Sequence, residues 1–217
     1  MNNNSDNYYY CLDLFLEYMP SLKEESLKIE HLLSFWTREG RYYHNEDHLK
    51  YIFDEIDKTP LTLMDRRTLM VAALFHDIIY DTKASDNEEK SAEYLKSFFT
   101  PITYQDSKIY KVVACQKFDL NQAIQIVLDT KKPLGDPMFT KLSWYFGNID
   151  YSYGFANVGM PADKCEELIR KEYNWVPEDL FKENRIKFLE SIIKRFPKAG
   201  NNIDFLKTGT YNRTVNY

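Results

Sequence analysis

Three ligating or ionisable side chains, His76, Asp77 and Asp150, stand where the sequence pattern places apolar residues. His76 follows the apolar run 69–75, and Asp150 lies four residues after Phe146 on an apolar helical stripe. Ionised groups in such surroundings are costly unless they are paired or bound to a metal. Imidazole nitrogens and carboxylate oxygens together suit zinc, manganese, iron, cobalt or nickel better than calcium. The three residues therefore indicate a site for one divalent transition metal ion.

An ordinary structural explanation stands beside this one. His76 would then be a hydrogen-bonded core histidine, and Asp77 would cap a helix or pair with an arginine. These residues alone leave both explanations open. His44 and His48 are four residues apart, but the segment between them has Asn45 where a zinc protease motif needs its glutamate, so we reject a metalloprotease.

Helices must position these residues, because apolar residues recur at helical spacing and no strand repeat appears. Ser21 opens a capping box for a helix that Gly40 ends. Asn45 is the expected cap of a second helix, which carries His48 in its first turn and ends at Pro60.

A third helix opens at residues 62–65 and carries His76 on its apolar face. Further helices are predicted to start near Ser85, Asp106, Asp136-Pro137, Pro161 and Pro177. The helix that starts at Asp136 contains Asp150. We therefore predict an all-α fold with one helical domain over residues 8–200, a disordered lead over 1–7 and an irregular tail over 201–217.

Composition narrows the class of protein. The 217 residues include 44% hydrophobic residues, enough for one sizeable core, and seven scattered glycines, which argue against a Gly-rich phosphate loop. A net charge of -5 argues against general nucleic-acid binding. No apolar run is long enough to span a membrane, and the start does not resemble a signal peptide. Three widely spaced cysteines are typical of reduced thiols, so we expect a cytoplasmic protein.

The same residues also carry a family resemblance. Two motifs read Arg41-x-Tyr43-His44-Asn45-x-x-His48-Leu49 and Phe75-His76-Asp77-x-x-Tyr80-Asp81. Weaker similarity continues through Asn87-Glu88-x-x-Ser91-Ala92, Asn148-Ile149-Asp150 and Ile169-Arg170-Lys171-Glu172-Tyr173. From about Trp36 to Tyr173 the chain resembles the predicted metal-dependent phosphohydrolases of the HD superfamily, whose fold is a helical bundle.

The resemblance implies a role for each matching residue. The metal ligands would be His48, His76, Asp77 and Asp150. Asp77 would also orient the attacking water, and Glu88 would act as an acid/base or orienting group. The expected phosphate-binding residues are Arg41, His44 and Arg170. Glu88 also fits the third position of its capping box, Arg41 a solvated loop, and Arg170 a pair with a nearby carboxylate.

This chain departs from the family pattern at three positions. Cys115 and Phe118 stand where relatives tend to have a threonine and a histidine, and Asn148 stands where an aspartate is usual. Because the missing histidine helps some related proteins to hold a second metal, Phe118 favours a mononuclear site. The departures also leave an altered activity open.

The leading expectation is hydrolysis of a nucleotide or other small phosphorylated metabolite by a metal-activated water. A metal-binding HD module without turnover, serving ligand or protein binding, is the alternative. An iron-dependent oxygenase of the HD type would need additional histidines that this chain lacks. The expected partner is a small phosphorylated molecule, with no membrane contact, and the sequence leaves homodimer formation open.

Overall fold

The computed structural model describes residues 6–99, 118–132, 140–156 and 159–209. Within these ranges the chain forms α-helices, one 3-10 helix and no strand, which confirms the all-α class. The α-helices are α1 Asp6–Tyr18, α2 Ser26–Leu33, α3 Glu46–Asp57, α4 Leu63–Phe75, α5 Asn87–Phe99, α6 Leu120–Asp129, α7 Lys141–Phe155, α8 Ala162–Glu172, α9 Glu178–Ile192 and α10 Ala199–Thr208. The 3-10 helix Pro20–Glu25 lies between α1 and α2.

The chain divides into two compact units, where the sequence predicts one domain over residues 8–200. The first contains Met1–Glu39 and His44–Gly147, and the second contains Gly40–Tyr43 and Asn148–Tyr217. The boundary falls inside α7, so the first half of this helix belongs to the first unit and the second half to the second unit.

Helix α4 is the central element of the first unit. Its residues 69–75 are all fully buried, and α4 packs against α1, α3, α5 and α6. A helix that is apolar around its whole circumference is stable only when other helices cover every face. The C-terminal end of α4, where His76 follows, is therefore deep in this unit.

Two capping residues fix the starts of the helices that carry the histidines. The Asn45 side chain accepts hydrogen bonds from the backbone N–H groups of Asp47 and His48, as the sequence predicts for α3. The Thr62 hydroxyl accepts from the N–H of Asp65 at the start of α4. Side-chain oxygens at this position satisfy amides that have no partner within the helix.

A buried charge network organises the second unit. Glu166 is 1% exposed and binds Arg185 through two hydrogen bonds, of 2.8 and 3.2 Å. Asn202 donates a third hydrogen bond to Glu166 over 2.9 Å. Burial opposes the charge of Arg185, but Glu166 raises the pKa of the guanidinium above its usual range. This network joins α8, α9 and α10.

The N-terminal half of the chain departs from the predicted elements at two places. The predicted helix from Ser21 to Gly40 is instead the 3-10 helix and α2, which ends at Leu33. The 3-10 helix starts at Pro20, so Ser21 lies inside it rather than at its cap. Helix α1 was not predicted; it begins with Asp6 and Asn7, which were predicted as disordered, and Asn7 donates a hydrogen bond to Asp47.

The C-terminal half contains two helices that the sequence analysis did not predict. Residues 201–208 belong to α10 and are not an irregular tail, because Ile203 and Leu206 bury an apolar face there. Helix α6 begins after Asp119, whose carboxylate accepts from the N–H of Gln122. The helix start predicted at Asp106, the start at Asp136-Pro137, residues 1–5 and the tail beyond Gly209 lie outside the described residues.

Among the described residues, no helix combines the length and the apolar character that a membrane-spanning segment needs.

The Glu166–Arg185 pair allows a test of what holds the second unit together. Replacing Glu166 with alanine leaves the Arg185 cation buried without its carboxylate. We expect the free energy of unfolding to fall by about 3–5 kcal/mol, measured by urea denaturation with helical circular dichroism as the signal. The control is Glu167→Ala on the exposed face of α8, with an expected change within about 0.5 kcal/mol. Equal changes in the two variants would contradict a stabilising role for the pair.

Candidate metal centre

His48 enters the site from the first turn of α3. The Asn45 cap fixes the start of this helix, with the Asn45 oxygen 3.4 Å from the His48 backbone nitrogen. The His48 side chain is 1% exposed. His48 lies in the first turn of α3 and is buried there together with Leu49 and Ile52 of the same helix.

His76 enters from the end of α4. The helix ends at Phe75, so the carbonyls of its last turn have no amide partner within the helix. Nδ1 of His76 lies 2.9 Å from the carbonyl oxygen of Ala73, and Nε1 of Trp36 donates to the carbonyl oxygen of Leu74 over 3.1 Å. With Nδ1 as the donor to Ala73, Nε2 of His76 carries the lone pair that a metal ion needs.

Aromatic rings surround the two buried imidazoles. Trp36 lies 5.3 Å from the His76 ring and 6.4 Å from the His48 ring, measured between centroids. Phe146 meets His76 edge-on at 5.3 Å, and the two imidazoles are 5.7 Å apart. His76 itself is 2% exposed. These rings restrict the orientations of both histidines.

Asp150 completes a group with these histidines. It lies on α7 one turn after Phe146, and one ligand atom each from His48, His76 and Asp150 lies within 4.8 Å of the others. Two neutral imidazoles and a carboxylate are a donor set that holds a divalent transition metal ion. These three residues, which the sequence analysis named, could therefore hold a metal ion, as predicted.

Asp77, the fourth predicted ligand, is not a member of this three-residue group but lies beside it. Its Oδ2 is 3.2 Å from Nε2 of His76. Two ligand atoms that each lie about 2.0–2.2 Å from one ion stand roughly 3.0–3.5 Å apart, so this distance suits a shared ion. Whether Asp77 is a ligand stays a prediction.

The charge state of Asp77 follows from its neighbours. Burial alone would raise the pKa of this carboxyl, but the positive charges of His76, His44 and His48, with the hydrogen bond to His76, hold the pKa well below its usual range. Protons on these imidazoles and a bound cation are alternative sources of positive charge beside Asp77. Asp77 is accordingly ionised at neutral pH.

His44 lies on the solvent side of Asp77. Its Nε2 is 4.0 Å from Asp77 Oδ2, and the two side chains are 23% and 18% exposed. The ring of Tyr80 lies against the His44 ring, tilted by 35°, with 4.5 Å between centroids. His44 and Asp77 are thus neighbours that both reach solvent, and the phosphate-binding role of His44 stays a prediction.

The other predicted functional residues have structural contacts. Glu88 lies in the first turn of α5, with its carboxylate 4.0 Å from Lys131 Nζ. Arg170 donates to the carbonyl oxygen of Tyr173 at the end of its own helix, and its guanidinium lies over the Phe181 ring. Arg41 lies in the short segment Gly40–Tyr43 of the second unit. Their roles in binding or catalysis stay predictions.

Two of the three departures from the family pattern have structural explanations. Phe118 is buried and meets Phe99 edge-on at 5.1 Å, so this position is part of the apolar core. Asn148 accepts a hydrogen bond from Arg195 over 2.7 Å. Residues two apart on a helix point about 200° apart, so Asn148 faces away from Asp150. Cys115 lies outside the described residues.

Tyr80 is a site residue that the sequence analysis quoted in a motif without a role. Its spacing after the His76-Asp77 pair is visible in the sequence, but a tyrosine five residues beyond a helix end has no preferred direction. The contact with His44 arises from the irregular segment between α4 and α5. The contact of Tyr80 with His44 can be recognised only from the packing of that segment.

Comparison with protein-family models, with curated proteins and with solved structures finds no significant match to this chain. The resemblance to HD-superfamily phosphohydrolases therefore rests on the motifs alone.

The three-residue group predicts metal binding by the purified protein. We expect the metal-free protein to bind one Co²⁺, with the visible absorption of a site containing nitrogen and oxygen ligands. Asp150→Asn keeps the side-chain shape and loses the charge, so its affinity should fall at least about 100-fold, given that even indirect partners of ligands contribute roughly 10–100-fold. Calorimetric titration measures the affinity.

The matched control is His31→Ala, since His31 is an exposed histidine on α2, outside the group. This variant should bind Co²⁺ as the unmodified protein does. Equal loss of affinity in His31→Ala and Asp150→Asn would show that binding is nonspecific.

Proposed function

We propose that this protein is a metal-dependent phosphohydrolase that acts on a small phosphorylated molecule. The observation that carries the proposal is the group of His48, His76 and Asp150, with the Asp77 carboxylate 3.2 Å from His76 Nε2. Ligands of this kind, together with a neighbouring carboxylate that reaches solvent, fit hydrolysis better than a closed structural metal site. The motif resemblance points to the same reaction class.

The side chains divide the work of such a reaction. His48, His76 and Asp150 would hold the ion, which when bound supplies a Lewis acid that lowers the pKa of water and polarises a phosphoryl oxygen. Asp77 accepts a hydrogen bond from the attacking water and orients it. Glu88 would serve as the acid/base or orienting group that the resemblance implies.

The size and charge of the substrate follow from access and electrostatics. His48 and His76 are almost fully buried, whereas Asp77 and His44 are about one-fifth exposed, so a ligand approaches from the His44 side. The net charge of -5 gives no general attraction for anions. A phosphate group would rely on local donors, with His44 nearest and Arg41 and Arg170 as further predicted contacts.

Phe118 supports a second candidate function. Its ring fills a core position against Phe99, where a histidine for a second metal would otherwise be expected. A single ion in such surroundings suits a metal-stabilised binding module as well as a mononuclear hydrolase. This module would bind phosphorylated ligands without turning them over.

Phosphate release separates the two functions. The metal-loaded protein is assayed with nucleotides and sugar phosphates, and we expect release from at least one of them. Asp77→Asn should lower kcat by about 100-fold, because a misplaced reacting group costs roughly this factor. A colorimetric assay for free phosphate measures the rate.

Asp13→Asn is the control for this experiment, since Asp13 is an exposed aspartate on α1. Its kcat should equal that of the unmodified protein. Binding of the phosphorylated compounds without release from any of them would favour the binding module over the hydrolase.

A further inference from the structure

The segment between α4 and α5 is held by side chains from α5. Asn87 accepts a hydrogen bond from the N–H of Asp81 over 3.1 Å and donates one to the carbonyl oxygen of Asp81 over 2.8 Å. One side-chain amide thus satisfies both backbone polar groups of a residue outside regular structure. Both hydrogen bonds lie at the surface, and together they hold the backbone of Asp81 against the start of α5.

Ser91 makes the corresponding contacts two residues earlier in the segment. Its hydroxyl oxygen accepts from the N–H of Ile79 over 3.1 Å, and the hydroxyl donates to the carbonyl oxygen of Ile79 over 3.4 Å. Ser91 is fully buried. A buried serine that serves both backbone groups of Ile79 is fixed in one orientation.

Asn87 and Ser91 lie on the same face of α5. Residues four apart on a helix are about 6 Å from each other on that face. Asn87 and Ser91 can therefore hold Ile79 and Asp81 at the same time. Tyr80, between them, has its backbone fixed from both sides.

Tyr80 in turn touches the site. Its ring lies 4.5 Å from the His44 ring in a tilted arrangement, and His44 Nε2 lies 4.0 Å from the Asp77 carboxylate. Asp77 itself lies two residues before Ile79, in the segment between α4 and α5. The contact of His44 with Tyr80 and its contact with Asp77 thus both depend on the position of residues 77–81.

We propose that Asn87 and Ser91 are positioning residues, which hold residues 79–81 so that Tyr80 and Asp77 keep His44 in place at the entrance of the candidate metal centre. The effect of this positioning on turnover rests on the proposed hydrolase function, whereas the positioning itself does not. The structural effect of Asn87 and Ser91 and their effect on turnover can therefore be tested separately.

The structural level is tested by NMR of the imidazole protons in the metal-free protein. The Tyr80 ring lies 4.5 Å from the His44 ring, so loss of its ring current in Tyr80→Leu should shift the His44 signal. Asn87→Ala and Ser91→Ala should move it in the same direction. Asn87→Asp still accepts from Asp81 but no longer donates to it, and should give an intermediate shift. The signal of His31, on α2, should stay fixed in every variant.

Ser97→Ala is the matched control, because Ser97 lies on α5 and its hydroxyl donates to the carbonyl oxygen of Tyr94 within the same helix. The His44 signal should not move in this variant. An unchanged His44 signal in both Asn87→Ala and Ser91→Ala, or in Tyr80→Leu, would overturn the proposal whatever the activity of the protein.

The functional level is tested with the phosphate-release assay. We expect Asn87→Ala to lower kcat by about 10–100-fold, as for other residues that orient a metal-site group without touching the ion, with an unchanged KM. Unchanged kcat alongside a displaced His44 signal would overturn the link to turnover. Absence of release from the unmodified protein would count against the hydrolase and leave the NMR comparison valid.

Discussion

Two imidazoles enclosed by aromatic rings impose the main constraint on the first unit. Burying His48 and His76 against Trp36 and Phe146 requires that every nitrogen in this region finds a suitable partner. The end of α4 supplies part of the solution, because its last carbonyls accept from Trp36 Nε1 and His76 Nδ1. The helix terminus thus fixes the His76 ring through Nδ1 and turns Nε2 towards Asp77.

Local signals in the sequence predicted the elements that carry the site. The Asn45 and Thr62 caps act within one helical turn, so residue type and spacing were enough to find the starts of α3 and α4. The apolar run before His76 likewise indicated burial on every side. His48, His76 and Asp150 could be named because each interrupts or continues a helical stripe, or matches a motif position.

Two of the parts that were not predicted, residues 201–208 and the contact of Tyr80, depend on packing between elements. Whether residues 201–208 form a helix is decided by the burial of Ile203 and Leu206 in the second unit, since glycine and asparagine at the start of α10 favour irregular structure. Tyr80 depends on side chains of α5 that hold its neighbours. A single sequence shows which residues are present in such a segment but not where its side chains point.

Burial differs sharply across the candidate centre, and this difference bears on its chemistry. The two imidazoles are 1% and 2% exposed, whereas His44 and Asp77 are 23% and 18% exposed. A dry inner side strengthens electrostatic interactions with a bound ion, and a wetter outer side lets water and ligand exchange. Asp77 lies at the junction, with His76 Nε2 at 3.2 Å on the inner side and His44 Nε2 at 4.0 Å on the outer side. The chain continues from Asp77 into residues 79–81, which Asn87 and Ser91 hold, so the position of this carboxylate depends on packing outside the group of His48, His76 and Asp150.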